Sequence, residues 1–168
     1  CIRDRVLCLT ATTPDLITSG FGPFVMQQCS SLDGLVEQLH ALPQDALLID
    51  LRRAGGADKL AHWPALPKAL LDAAVVVVAP EPTWAECQRL LQLGIREIVG
   101  QREATDEALA RLLRLAVERK RLEDAARRAY STDLTTGLPN HAQLLEHMPH
   151  LLALREREPA AMALIVLH

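Results

Sequence analysis

The sequence predicts a doubly wound α/β fold built on a five-stranded parallel sheet, and three observations carry that reading. Short apolar runs alternate with longer amphipathic segments along the first two thirds of the chain. The apolar runs lack polar alternation, as strands covered on both faces do. The segments between them show helical spacing, so strand and helix follow one another in the order that parallel crossovers need.

Arg5 to Thr10 (RVLCLT) reads as the first strand. The connection that follows is short and closed by Gly20, Gly22 and Pro23, so the first helix is expected as a stub. Phe24 to Cys29 is the second strand, and Ser31 to Leu42 has helical spacing with Ser31 and Asp33 placed to cap it. Ala46 to Leu51 (ALLIDL) is the third strand. Pro64 and Pro67 break what would otherwise be one helix from Ala57 to Leu71. Ala74 to Ala79 (AVVVVA) is the fourth strand, Pro82 to Leu93 a helix, and Arg96 to Val99 a short fifth strand. Five strands with a helix after each is the flavodoxin-like order.

From Thr105 to about Tyr130 the pattern becomes one long helix. Leu112, Leu115, Arg119, Leu122, Ala126 and Ala129 form a coiled-coil-like stripe of under three heptads, with Arg119 in the seam. The competing reading is that Leu109, Leu112, Leu113 and Ala116 cover the sheet and the remainder is a solvated arm.

Composition narrows the function classes. A hydrophobic fraction of 49% in 168 residues supports a substantial core, and two Trp, two Phe and one Tyr leave it to aliphatic side chains. A formal charge of −3 provides no general attraction to nucleic acid or acidic membranes. The Arg/Lys cluster from Arg111 to Arg128 is diluted by Glu118, Glu123 and Asp124 and has no interleaved aromatics, so it reads as a solvated helix face. No nucleic-acid or membrane partner is expected. Cys1, Cys8, Cys29 and Cys87 form no Cys-x-x-Cys pair, and no run reaches the roughly 18 apolar residues of a membrane span. The expectation is a reduced, cytoplasmic protein, and a first residue of Cys rather than Met reads as a piece cut from a longer chain.

The stretch Asp133-Leu134-Thr135-Thr136-Gly137-Leu138-Pro139-Asn140-His141-Ala142 resembles the opening motif of the GGDEF family, Asp-x-Leu-Thr-Gly-Leu-Pro-Asn-Arg. Asp133, Thr136, Gly137, Leu138, Pro139 and Asn140 are in register, while Thr135 and His141 replace Leu and Arg. The resemblance implies cyclic di-GMP signalling. Residues 132–168 would then be the first helix and strand of such a domain. Leu138, Leu144, Leu145, Met148 and Leu152 form the helical face, and Ala161 to Leu167 form the strand. His168 falls near the place of a cation-binding Asp in metal-binding members. Imidazole there would impair the site, because Mg²⁺ prefers oxygen ligands.

Residues 4 to about 117 are similar to a response-regulator receiver domain. Asp50 in Leu48-Ile49-Asp50-Leu51 stands where receivers carry their phosphoacceptor, and Leu93 to Val99 matches their last turn and strand. The resemblance also exposes departures. The acidic pair that would hold a divalent cation is replaced by Thr10 and Ala11, the phosphoryl-sensing hydroxyl by Ala79, and the lysine by Gln101. A lone carboxylate is not a site for a hard cation. Asp50 is therefore expected to be a residual carboxylate bonded to a nearby amide, the alternative being weak phosphate acceptance helped by Asp15.

These expectations combine into a receiver-like domain (1–117), a helical linker (118–131) and a GGDEF-type fragment (132–168). No cofactor is expected, with Mg²⁺ required only if Asp50 accepts phosphate. The partner is expected to be a second copy, met through the receiver or the linker helix, or another protein. The piece itself should catalyse nothing. The alternatives are a phospho-accepting receiver that controls an active diguanylate cyclase or a GGDEF-EAL phosphodiesterase, and a domain that binds a small ligand at the ends of strands one and three. His147 and His150 could share a helix face but lack a third ligand, His40 and His62 stand alone, and Gly55-Gly56 has no Lys or Ser/Thr for a phosphate loop.

Overall fold

The computed structural model describes residues 3–16, 18–131, 136–140, 143–149 and 152. The chain divides into two compact units, Cys1–Arg121 and Leu122–His168.

In the first unit five parallel strands lie in the order β2-β1-β3-β4-β5. They are β1 (Asp4–Leu9), β2 (Phe24–Gln28), β3 (Ala46–Asp50), β4 (Ala74–Ala79) and β5 (Glu97–Gly100). The sheet separates two cores, and alternate residues of each strand serve one or the other. Leu7, Leu9, Leu47, Ile49, Val75 and Val77 meet Leu35 of α1 (Leu32–Ala41), Leu60 of α3 (Ala57–Ala61), Leu66 of α4 (Leu66–Asp72) and Leu90 of α5 (Trp84–Gln92). Val6, Cys8, Ala46, Leu48, Val76 and Val78 meet Leu109, Ala110, Leu113, Ala116 and Val117 of α6 (Asp106–Ser131). Burial on both faces is why these strands read as unbroken apolar runs.

Local signals set the element ends. Ser31 caps α1, its Oγ accepting from Gly34 N at 3.1 Å, and Thr83 caps α5 by accepting from Glu86 N at 3.3 Å. A one-turn helix α2 (Leu51–Ala54) starts on Asp50 and ends on Gly55, whose φ of 84° lies in the left-handed region. The proline-broken segment resolves into α3 and α4, with Pro67 in the first turn of α4.

The expected helix after β1 is absent among the described residues, where 10–16 and 18–23 make bends and turns. Pro14, Gly20 and Gly22 leave too little uninterrupted chain for a turn of helix to be worth its nucleation. Leu16 drops onto the second core in its place. The long C-terminal helix faces the sheet with Leu109, Leu113 and Ala116, while Leu115 on the coiled-coil-like stripe is exposed.

A charge cluster fixes α6 to the start of the sheet. Asp4 is buried in β1 and receives Arg114 Nη1 and Arg121 Nη2, each at 2.6 Å. Arg121 also reaches Asp45 at 3.1 Å, and Glu118 pairs with both arginines. Hydrogen bonding to Asp4 raises the pKa of Arg121 against a smaller opposing effect of burial.

In the second unit, Asn140 caps a helical stretch at 143–149. Its Oδ1 accepts from Gln143 N at 3.1 Å, and its carbonyl accepts from Leu144 N at 3.0 Å. Gly137 takes a φ of 69°. Leu138, Leu144, Leu145 and Leu152 are all exposed. Asp133, His141, His150, His168 and the expected strand at 161–167 lie outside the described residues.

Candidate functional site

The strand register brings the sequence-predicted positions to one edge of the sheet. Leu9 pairs with Ile49, which sets Thr10 level with Asp50. Asp50 pairs with Val78 and Ala79 with Gly100, so Ala79 and Gln101 follow at the ends of β4 and β5. A main-chain bond from Gln101 N to Ala79 O at 2.7 Å closes the β4–β5 end. This is the C-terminal edge, where open parallel sheets keep their ligand sites.

Asp50 is only 4% exposed, and both of its oxygens are occupied. Oδ1 accepts from Arg52 N at 2.9 Å and from Arg52 Nε at 3.3 Å. Oδ2 accepts from Arg52 Nη2 at 3.0 Å. The same Nη2 donates to Gln101 Oε1 at 2.7 Å. The guanidinium therefore spans from the end of β3 to the end of β5, across the end of β4 where Ala79 stands. Hydrogen bonding to Asp50, then its charge, raises the pKa of Arg52.

The chemistry of this arrangement is self-neutralised. A two-pronged Arg–carboxylate pair uses the lone pairs that a metal or a phosphoryl group would need. Thr10 Oγ1 is turned to Thr12 O at 2.9 Å, and Ala11 is exposed and offers no ligand. Asp15 lines a different cavity, with Thr18, Ser19, Asp106 and Glu107. No group of three or more metal-ligating side chains occurs among the described residues. His62 Nδ1 lies 2.8 Å from Asp58 O and His147 Nδ1 3.2 Å from Gln143 O, each a local helical contact.

Sequence reasoning placed a backbone amide on Asp50 and missed Arg52. The available signal was an Arg two residues after a strand-end Asp that also caps a helix, a spacing at which main chain and guanidinium reach the same carboxylate.

The chain is similar to a signal receiver domain from Vibrio parahaemolyticus, with 13% identity and a TM-score of 0.58 over 74% of this chain and 98% of that one. It is similar to a response regulator from Thermotoga maritima, with 10% identity and a TM-score of 0.53 over 70% and 99%. The fold is that of a receiver domain. NtrX from Brucella abortus matches with 13% identity and a TM-score of 0.60 over 95% of this chain, which spans 35% of that protein. No protein-family model matches the chain. No curated protein matches it either. Among the described residues no helix is long and apolar enough to cross a membrane.

Proposed function

We propose that this chain is the pseudo-receiver region of a cyclic-di-GMP signalling protein, regulating its output without phosphorylation of Asp50. The observation that carries the reading is the Arg52 guanidinium, which neutralises Asp50 and ties it to Gln101. Phosphoryl transfer to an aspartate needs a cation between the incoming phosphate and the acceptor. Here a side chain of the protein already provides the positive charge, and the acidic pair is missing. The Thr136-Gly137-Leu138-Pro139-Asn140 stretch supports the assignment to the cyclic-di-GMP system.

The output is reached through α6. A change in the pairing of two receiver-like domains, or the docking of another protein, shifts the helix between two arrangements that the output domain reads. We place the contact with a second copy at the exposed Leu115 on α6.

The test is intact mass after incubation with Mg²⁺ and acetyl phosphate, beside an Asp50→Asn control. The proposal expects no phosphoryl adduct in either protein. An adduct on the wild-type chain that the control lacks would make phosphorylation the input and refute the proposal.

A further inference from the structure

A second feature of the same sheet edge involves neither Asp50 nor Arg52. Thr10, Gln28, Cys29, Ser30 and Arg53 line a cavity of about 290 Å³, the space of on the order of ten water molecules. The cavity opens at the C-terminal edge of the sheet, between the ends of the paired strands β1 and β2 and the α2 turn, on the edge where open parallel sheets keep their ligand sites.

The lining is rich in donors and poor in free acceptors. Gln28 Nε2 gives one N–H to Thr10 O at 2.9 Å, and Gln28 Oε1 accepts from Thr13 Oγ1 at 2.5 Å. That leaves the second amide N–H of Gln28, the Ser30 hydroxyl and the guanidinium of Arg53. Arg53 has no ion pair among the described residues, in contrast to its neighbour Arg52. Among the described residues no carboxylate lines the cavity. Burial, with a further contribution from Glu37, raises the pKa of Cys29, so the wall carries a thiol and not a thiolate. Where a phosphorylatable receiver gathers acids for a cation, this edge has Thr10 and, beside it, an arginine.

We propose that the cavity bounded by Thr10, Gln28, Ser30 and Arg53 binds a small phosphate-bearing anion, with the Arg53 guanidinium as its counter-charge. Donors converging from β2, from the β2–α1 connection and from α2 suit a tetrahedral group with several acceptor oxygens better than a two-oxygen carboxylate. This site goes beyond the phosphorylation-independent reading and stands or falls separately from it.

The experiment is a ¹H–¹⁵N titration of the full chain with inorganic phosphate and, separately, with GMP, at fixed ionic strength. Saturable shifts of the Thr10, Ser30 and Arg53 resonances are expected with at least one of the two ligands. Tighter binding of GMP would assign the phosphate to a nucleotide, and equal binding would assign it to free phosphate. Arg53→Gln should weaken binding by about tenfold or more, the effect of losing a charged hydrogen-bond donor. Arg102→Gln, which removes a surface arginine paired with Glu81, should leave binding unchanged. Shifts that never saturate, or equal affinity in a well-dispersed Arg53→Gln variant, would overturn the proposal.

Discussion

Replacing Asp4 by Ala tests how firmly the linker helix is held to the receiver-like domain. Asp4 is 1% exposed and accepts two charged hydrogen bonds of 2.6 Å, from Arg114 and Arg121. Each such bond contributes about 1.5–3 kcal/mol when well buried. The arginine side chains are 37% and 40% exposed, so both rehydrate in the variant, and Glu118 and Asp45 still partner them. Solvent screening therefore reduces the expected loss to about 2–3 kcal/mol. In urea unfolding this lowers the midpoint by roughly 1–2 M at unchanged slope. Asp4→Asn keeps the shape and one acceptor and should lose less. A double-mutant cycle of Asp4→Ala with Arg121→Ala should give a coupling of about 1 kcal/mol or more. A loss below about 0.5 kcal/mol, or simple additivity, would refute the idea that this cluster sets the helix position.

Three other outcomes are expected. Burial, with a smaller effect of Cys29, pushes the Cys8 thiol up to about 12 from an ordinary value of 9.0, so it stays protonated in the fold while the unfolded chain ionises. Stability should be full below pH 9 and fall by about 1.4 kcal/mol per unit above it, a slope that Cys8→Ala reduces. Thiol labelling of the native protein followed by peptide mapping should modify Cys87 before the buried Cys8 and Cys29. Leu115→Glu places a charge on the outer face of α6 and should turn a dimer into a monomer in sedimentation velocity. A wild-type monomer would remove the second copy as partner.

The strands were legible because both faces of the sheet are buried, which leaves no polar residue inside Ala74–Ala79 or Ala46–Ile49. Asp4 escaped that reading. An acid at a strand start reads as loop, since acids are rarely buried without a partner, and its partners lie 110 and 117 positions away. The stub helix after β1 was inferred from strand order, and local chemistry overrode it at Pro14, Gly20 and Gly22. At the sheet edge Thr10, Ala11, Ala79 and Gln101 were singled out by the receiver resemblance, and the strand register brings them to the same edge as Asp50. The bridge from Arg52 to Gln101 could not be read in the sequence, because it links the ends of β3 and β5 through side-chain rotamers that no periodicity encodes.

The account depends most on the sheet edge having no working cation site, and Mn²⁺ broadening of amide resonances tests that directly, with Mn²⁺ standing in for Mg²⁺. The wild-type chain should show no localised broadening at Thr10, Asp50 or Gln101. A variant combining Thr10→Asp, Ala11→Asp and Arg52→Ala restores acids and frees Asp50, and it should show broadening at those positions. Saturable broadening centred on Asp50 in the wild-type chain would contradict the account, because a cation would then displace Arg52 and reopen the route to phosphorylation.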